Sequence, residues 1–385
     1  MDPNDEKILT AISRYYIKNI LYMLKPTLLL LLLIPMSMAA QRNVDLDKFG
    51  FAVEFRTLPT VKIDSTYRTY NVEVESTKLM SSFMNDLNPE RSVILEGWRK
   101  LPHDGHIQIK VILDDLLPES FSTKERIENI KDKNGVITGT RTYYSQEVIY
   151  TFAAKAIVGD YKGVHIMEQV LAARGSKQSY RSPEFPVRAV AEGYFALNSL
   201  KVTNDLYRMN VNRAMQNLSN RLTNDFGYNA VTVNDYMWII DSRKHPEYTA
   251  HRKAFQQMNS ILFSMNADTP IESVREQMKP VIAYFESIKK RYPSTSKHDR
   301  KIRYASFFNL SVLYYYLDDP KNMMLQANGL VLNDFDSKDG QVFEQSALRL
   351  KNQFQASNIY TRHFPININS FKGPYENSDE VSTWK

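Results

Sequence analysis

Apolar residues recur with two different periods along this chain, and this change of period constrains the fold most. In the first half, segments such as Phe51–Thr57 and Tyr70–Ser76 alternate apolar and polar side chains. A period of two places alternate side chains on opposite faces of a strand. In the second half, Asn204–Phe226 carries apolar residues with the spacing of an amphipathic helix. The sequence therefore predicts an α+β protein, with an N-terminal antiparallel β-rich domain followed by a helical C-terminal array.

Further strands are predicted in the first half. Asn134-Gly135 lies between two runs rich in β-branched residues, and Asn-Gly supplies the positive φ angles that a tight hairpin needs. Arg126–Lys131 and Val136–Val158 are therefore predicted to be antiparallel partners. Other predicted elements are strands at Arg91–Trp98 and His106–Asp115, a strand or helix at Gly163–Ala173, and a short helix at Lys78–Leu87.

The second half is predicted to be mostly helical. One alternating segment, Tyr228–Ile240, is predicted to be a strand that could return to the β domain. The predicted helices of the array are His251–Met265, Ile271–Lys290, Lys301–Leu317, Pro320–Leu332 and Gln341–Phe354. The predicted organisation is a signal peptide at 1–40, a β-rich domain at 41–182, a mixed helix and strand junction at 183–245, a helical array at 246–357 and a polar tail at 358–385.

A short aliphatic block near the start predicts export. Leu28–Ile34 is unbroken aliphatic sequence with Lys25 before it and Pro35 after it, and small residues follow up to Ala40. This is the order of a secretory signal, with cleavage expected in the region Ala39–Gln41. A membrane-spanning helix needs about 20 apolar residues, and this block is shorter. A membrane anchor and a buried core helix are the alternatives.

The segment before this block is long and partly acidic for the start of a signal peptide, so Met23 is the expected true start of the protein. The mature chain is expected to contain no membrane-spanning segment. Because the chain contains no cysteine, it is not expected to be a lipoprotein. The expected location is the periplasm or the outer membrane of a Gram-negative bacterium.

Composition excludes several classes of function. The formal net charge is +6, from 49 basic and 43 acidic residues, and no basic block is concentrated enough to follow a phosphate backbone. The absence of cysteine excludes disulfides, thiol catalysis and thiolate metal sites. There is no glycine-rich phosphate loop and no serine-nucleophile motif. No nucleic-acid partner and no cofactor is therefore predicted.

One helical hairpin resembles a known repeat. In Phe307–Asp334, the residues Phe307, Leu310-Ser311 and Tyr314 have the spacing of the first helix of a tetratricopeptide-type repeat. Leu317–Pro320 matches the turn that follows it. The resemblance implies stacked helices that present a surface to a partner protein, and it implies no catalysis.

Two polar clusters are candidates for chemistry. His103, Asp104 and His106 could bind a divalent metal, but the flanking proline and glycine favour a polar turn. Asp114, Asp115 and Glu119 are candidate carboxylates for sugar hydrolysis. Adjacent residues of a strand point to opposite faces, so a solvated loop charge is the preferred interpretation. The sequence therefore predicts no catalytic, cofactor-binding or metal-binding residue.

Tyrosine is abundant, with 23 copies, and two clusters are candidate partner contacts. Exposed tyrosines favour contacts with peptides or sugars, although ordinary core packing is the more frequent cause of such clusters. The candidate contact residues are Tyr143, Tyr144, Tyr314, Tyr315 and Tyr316.

These features predict an exported envelope protein that is not catalytic and that binds another envelope protein, or acts as a scaffold, through its helical region. The alternative is an exported hydrolase of glycan or peptide whose carboxylates come together from separate segments. A third option is carbohydrate binding through the tyrosine-rich strands.

Overall fold

A computed structural model describes residues 44–83 and 87–376, and it confirms the predicted α+β class. Strands dominate the N-terminal half of this part, and helices dominate its C-terminal half. The predicted signal peptide at 1–40 lies outside the described residues. Within the described ranges, no helix has the length and apolar character needed to cross a membrane.

A five-stranded sheet, which we call the central sheet, carries much of the N-terminal core. Its strands are β2 Thr69–Ser76, β3 Arg99–Lys100, β4 Ile107–Leu113, β7 Ala154–Asp160 and β8 His165–Ala172. Their spatial order is β3-β2-β4-β7-β8, in which β2 runs parallel to β3 and β4 and the other neighbours are antiparallel. Alternate residues of β4 and β7 are buried, as the period of two predicts. The segment Gly163–Ala173, predicted as strand or helix, forms strand β8.

The crossover between β2 and β4 contains two short helices, α1 Lys78–Phe83 and α2 Pro89–Ser92. The prediction of a strand at Arg91–Trp98 is wrong, because residues 93–98 pair with no strand in the described part of the chain. Val93 and Leu95 are buried, so the alternation is real. The backbone of the alternate residues bonds to side chains of a later helix and not to a strand. The N–H of Ile94 donates to Ser219 Oγ at 3.0 Å, and the N–H of Glu96 donates to Thr223 Oγ1 at 3.2 Å.

A second sheet projects from the central sheet, and we call it the arm. It consists of β5 Leu117–Lys131, β6 Ile137–Thr151 and β9 Gln178–Arg181, in the order β5-β6-β9. The predicted hairpin is confirmed, and Gly135 has the positive φ, 81°, that its turn requires. The predicted strand Val136–Val158 is divided into β6 and β7, because the chain leaves the arm after Thr151 and enters the central sheet.

A long helix, α3 Arg188–Phe226, joins the two sheets. Near its middle, Val202 and Leu206 pack against Val148 and Tyr150 of the arm. From Tyr207 onward its apolar face packs into the core of the central sheet. The helix therefore fixes the base of the arm relative to the central sheet.

A two-stranded ribbon joins the start of the described chain to its second half. β1 Leu46–Arg56 pairs antiparallel with β10 Ala230–Ile240 along its whole length. This confirms that the predicted strand Tyr228–Ile240 returns to an N-terminal strand. The ribbon does not join the central sheet, however, and its buried residues pack among the helices that follow. The strands predicted within 41–182 are therefore divided between three sheets.

Five helices form the C-terminal array, as predicted, with ends that differ by a few residues. They are α4 Tyr248–Phe263, α5 Glu272–Arg291, α6 Lys297–Tyr316, α7 Pro320–Asn333 and α8 Ser337–Ser357. Each helix contacts the next one in sequence. Local capping explains two of the starts, because the side chains of Ser296 and Asp319 accept hydrogen bonds from the first turns of α6 and α7.

The segment after α8, predicted as a polar tail at 358–385, packs against the molecule as far as residue 376. Arg362 and His363 are each 2% exposed, and the carbonyl of Arg362 accepts a bond of 2.9 Å from the N–H of Arg56. The N–H of Phe364 donates to the carbonyl of Ala267 at 2.9 Å. This segment therefore ties β1 to the helical array, which its polar composition did not predict.

Candidate functional site

One of the predicted contact tyrosines is a core residue. Tyr316 is 4% exposed, and its ring packs edge-on against Phe51 of the ribbon. Its hydroxyl donates to Asp235 Oδ2 at 2.7 Å. Burial, and then the charge of Asp235, raise the pKa of Tyr316 above its ordinary value. Tyr316 therefore cannot meet a partner in this structure, which corrects its assignment as a contact residue.

The neighbouring tyrosines of α6 are half-buried. The ring of Tyr315 lies 4.4 Å from the guanidinium of Arg362 and edge-on to Tyr316. Burial is the main cause that raises the pKa of Tyr314. Both rings contribute more to the packing of the array than to an open surface.

The other two predicted contact residues, Tyr143 and Tyr144, lie on the arm and reach its surface. They point to opposite faces of β6, and both are half-buried. The ring of Tyr143 lies 4.8 Å from the guanidinium of Arg126, on the neighbouring strand β5. The backbone of Tyr144 pairs with that of Phe185 through two hydrogen bonds of 2.7 Å. Of the predicted contact residues, Tyr143 and Tyr144 are therefore the two that lie on the arm.

Strand β5 is the most exposed element of the arm. All of its residues except Thr123 are exposed, although the strand is 15 residues long. It lies at one edge of the arm, and no strand in the described part of the chain pairs with its outer side. An edge strand of this length is a ready template for another strand.

The hydrogen bonds of β6 define which backbone groups of β5 face outward. Tyr144 exchanges bonds with Phe185, and the carbonyl of Gln146 accepts a bond of 2.8 Å from the N–H of Ser182. Even-numbered residues in this part of β6 therefore direct their backbone groups away from β5. Since backbone direction alternates along a strand, the odd-numbered residues direct theirs toward β5.

The register of the hairpin transfers this alternation to β5. Lys124 lies opposite Ser145, and Arg126 lies opposite Tyr143, so these two residues bond to β6. The odd-numbered residues of this part of β5 direct their N–H and C=O groups to the free side of the strand. The outward-facing residues are Thr123, Glu125, Ile127 and Asn129.

Side-chain ion pairs order the solvent face of the arm. Arg126 donates to Glu184 at 2.6 and 2.8 Å, and this hydrogen bond is the main cause that lowers the pKa of Glu184. Lys124 lies 3.1 Å from Glu147 and lowers the pKa of that carboxyl in the same way. Lys124 and Arg126 of β5 are therefore held by carboxylates on and beyond β6.

The tip of the arm also exposes apolar side chains. Ile127 is 61% exposed, and the residues around the turn are similarly open; they are Ile130, Val136 and Ile137. Large apolar side chains are exposed on α7 and α8 as well: Leu325, Leu332 and Val342. The arm and the α7–α8 pair are thus two of the surfaces in the described part of the chain where large apolar side chains meet solvent; the first half of α3 is another, with Leu197 87% and Leu200 75% exposed.

The candidate carboxylates do not form a catalytic pair. Asp114 contacts Arg174, whose hydrogen bond is the main cause that lowers the pKa of Asp114. Asp115 accepts a hydrogen bond from Thr77, and Glu119 lies 2.6 Å from Lys177. Each carboxylate has a separate partner among the described residues.

The two histidines of the candidate metal cluster lie in different environments. His103 is exposed and bonds to Asp104 at 2.7 Å. His106 is buried, stacks on Tyr67 and bonds to Thr69 Oγ1 at 2.7 Å. Burial is the main cause that lowers the pKa of His106. The turn therefore separates the two imidazoles instead of bringing them to one ion.

Three surface cavities bear on the hydrolase alternative. The first, of about 390 Å³, is lined by hydroxyl and amide side chains with Glu96 as its acid. The second, also about 390 Å³, is lined by Arg68 and aromatic residues. The third, of about 290 Å³, contains Glu73 and Asp160, and Asp160 already accepts bonds from Tyr67 and from the N–H groups of its own turn. None of these three presents two free carboxylates.

The sequence interpretation missed the free edge of β5. A signal was present, because charges occupy both even and odd positions from Lys124 to Lys131. A strand with one buried face does not show this pattern.

The chain matches no protein-family model, and no curated protein matches it either.

Proposed function

We propose that this chain is an exported scaffold component of the cell envelope that binds protein and is not catalytic. The single observation that carries the proposal is the free edge of β5, a strand of 15 residues that is exposed at every position except Thr123 and whose residues Glu125, Ile127 and Asn129 direct their backbone groups outward. Proteins bind extended segments at such edges through main-chain hydrogen bonds, which give affinity, and through side-chain contacts, which give specificity.

The helical array is proposed as a second contact surface. Leu332 is 84% exposed at the end of α7, and Leu325 is 56% exposed on the same helix. The tetratricopeptide-type resemblance of Phe307–Asp334 lies in the same helix pair, and such repeats bind partners through their helices. This surface is the place where an envelope partner would meet the array.

Export is the part of the proposal that rests on the sequence alone. The Leu28–Ile34 block and the small residues after it support a cleaved secretory signal, and the lack of cysteine supports a protein without a lipid anchor. Fractionation of cells tests this part. The expected result is a chain in the periplasmic or outer-membrane fraction whose first residue lies near Gln41, and a full-length cytosolic chain would contradict it.

Site-specific photo-crosslinking in cells tests the binding function. A photoreactive amino acid replaces Ile127 at the arm or Leu332 at the array, and Val164, which is 57% exposed in the turn before β8, is the matched control. We expect discrete protein adducts from Ile127 and Leu332 and none from Val164. If neither test position gives an adduct that the control lacks, the chain does not bind protein through these surfaces.

A further inference from the structure

We infer that the free edge of β5 pairs antiparallel with β5 of a second copy, about a twofold axis at Ile127. This inference rests on the proposed function, because it names the occupant of the same edge. The pairing would join two arms into one six-stranded sheet. Three features of the arm carry it: the direction of the backbone groups of β5, the sequence of charges on β5 and the shortness of the opposite edge, β9.

The backbone geometry limits the registers that are available. Two antiparallel strands bond only where outward-facing residues of one strand lie opposite outward-facing residues of the other. On β5 these are the odd-numbered residues, such as Glu125, Ile127 and Asn129. When two identical strands pair, the twofold axis must therefore pass through a residue, and each choice of central residue gives one register.

Charge selects among these registers. A centre at Lys124, Glu125, Arg126 or Glu128 places that residue opposite itself, so like charges meet at the axis. A centre at Thr123 or Asn129 places no two charged residues of β5 opposite one another. The first four registers therefore keep like charges in contact at the axis, although three of them also form an unlike pair: Glu119–Lys131, Lys124–Glu128 or Glu125–Lys131 for the centres at Glu125, Arg126 and Glu128. The last two registers gain no charge pair.

Only the centre at Ile127 pairs unlike charges of β5 without placing like charges opposite one another. Arg126 then lies opposite Glu128 of the second copy, and Glu128 lies opposite Arg126 of the second copy. Glu125 lies opposite Asn129, and no like charges meet across the paired residues 123–131. The exposed Ile127 side chains meet at the axis, where each covers apolar surface of the other. Charges that would oppose other pairings thus specify this one.

The side chains required for this register are already on one face. Arg126 and Glu128 lie on the same face of β5, 4.0 Å apart, and both are 51% exposed. Arg126 bonds to Glu184 through Nε and one terminal nitrogen, so its other terminal nitrogen remains to meet a second carboxylate. The guanidinium of Arg126 lies over Tyr143 of β6, so the pairing requires Glu128 of the second copy to reach across β5 to that free nitrogen.

The opposite edge of the arm limits the assembly to two copies. That edge is β9, which has four residues and is followed by Ser182 and Pro183. A short edge next to a proline is a poor template for another strand. A twofold interface uses the same patch on both copies, so the assembly closes as a dimer and does not grow into a filament.

The first test uses the purified full-length mature chain in solution. Light scattering over a range of concentrations is expected to show a dimer for the wild-type protein. Ile127→Pro removes an outward-facing N–H without removing a bond of the hairpin, and proline is tolerated at such an edge position. It is expected to raise the dimer dissociation constant by about tenfold or more, because hydrogen bonds and edge contacts are lost at two symmetric places. Circular dichroism of the variant checks that the fold is retained.

The second test uses charge reversal and is specific for the register. Arg126→Glu alone, and Glu128→Arg alone, place like charges opposite one another in a homodimer, so each variant is expected to be monomeric. An equimolar mixture is expected to dimerise again. In the mixed dimer the glutamate introduced at position 126 lies opposite the arginine introduced at position 128, and the native Glu128 lies opposite the native Arg126. Because each variant is assayed both alone and mixed, a loss of folding is distinguished from a loss of pairing.

Three outcomes would overturn the inference. They are a wild-type protein that stays monomeric at about 100 μM, a dimer that Ile127→Pro leaves unchanged, and charge variants that do not recover on mixing. A monomer whose position 127 still crosslinks to a different protein in cells overturns this inference and leaves the proposed function intact. A monomer that gives no specific adduct from position 127 or 332 overturns both.

Discussion

Arg362 donates a hydrogen bond from Nε to Asp318 Oδ1 at 2.6 Å, and the two side chains are 3% and 0% exposed. The same carboxylate accepts a bond of 2.6 Å from the backbone N–H of Arg362. The guanidinium also lies 4.2 Å from the ring of Phe55 on β1. One buried ion pair thus holds the C-terminal segment, the end of α6 and the ribbon together.

Asp318→Asn should destabilise the protein strongly, because it leaves the Arg362 charge buried without its partner. The expected loss in free energy of unfolding is about 3–5 kcal/mol, measured by urea denaturation. Asp334→Asn is the matched control, since both aspartates follow a helix with positive φ and Asn tolerates that conformation. Asp334 is 86% exposed, so its variant should stay within about 0.5 kcal/mol of wild type. Equal effects at the two positions would show that the buried pair is not responsible.

His251 predicts a loss of stability in mild acid. It is 0% exposed, and neither ring nitrogen has a hydrogen-bond partner in the described part of the chain. Burial is the main cause that lowers the pKa of His251 to about 3. An unfolded histidine has a pKa of about 6.5, so between these two values the unfolded state binds a proton that the folded state does not.

The free energy of unfolding should therefore fall as the pH drops below about 6.5. Between pH 7 and pH 5, His251 alone accounts for about 2 kcal/mol of this loss. His251→Leu should remove that part of the pH dependence, while other buried histidines, such as His363, still contribute in the same direction. Phe285→Leu is the control, because Phe285 packs against His251 with ring centroids 5.2 Å apart. It should lower stability at every pH and keep the slope. An unchanged slope in His251→Leu would contradict the assignment.

Replacing Gly329 by alanine should destabilise the protein, although the same replacement usually stabilises a helix. A Cβ atom at Gly329 would lie 2.2 Å from Cε1 of Phe307, so the ring would have to move. Gly329→Ala should therefore destabilise the protein by about 1–3 kcal/mol, as overpacking does. The control, Gly193→Ala in α3, meets nothing within 4 Å and should stabilise by about 0.5–1 kcal/mol. Adding Phe307→Leu to the Gly329→Ala variant should recover part of the loss in urea denaturation, and a strictly additive double variant would argue against the contact.

Tyr316→Phe should reveal the hydrogen bond to Asp235. The variant keeps the ring in the core and leaves the Asp235 carboxylate without its hydroxyl donor. The expected loss is about 1.5–3 kcal/mol in free energy of unfolding, the usual range for a bond to a charged group. Tyr314→Phe is the control, since the Tyr314 hydroxyl makes no hydrogen bond within the described ranges, and it should change stability by less than about 0.5 kcal/mol. A Tyr316→Phe variant as stable as the control would mean that the bond contributes nothing net.

Local patterns predicted much of the fold. The alternation in β2 and β4 and the Asn-Gly turn of the arm each depend on neighbouring residues, and the structure confirms them. The strand predicted at Arg91–Trp98 failed because its backbone bonds to side chains of α3, more than 100 residues away. Alternation reports which side chains are buried and does not report what the backbone bonds to.

The candidate surfaces were harder to predict for a related reason. Three consecutive tyrosines on a helix point in three directions, and only the position of the ribbon determines that Tyr316 is the buried one. Whether a strand lies at the edge of a sheet depends on strand order, which a single strand does not encode. The edge position of β5 therefore follows from the strand order β5-β6-β9 and could not be predicted from the sequence of β5 alone.

The pairing of β1 with β10 also limits when the ribbon can form during synthesis of the chain. β1 is synthesised early, yet its partner follows only after residues 57–229 have been made. Until then Phe51 and Phe55 have neither their ribbon partner nor the helices that cover them. The ribbon therefore cannot form before the middle of the polypeptide has been synthesised, and until then the apolar side chains of β1 remain exposed and prone to aggregation.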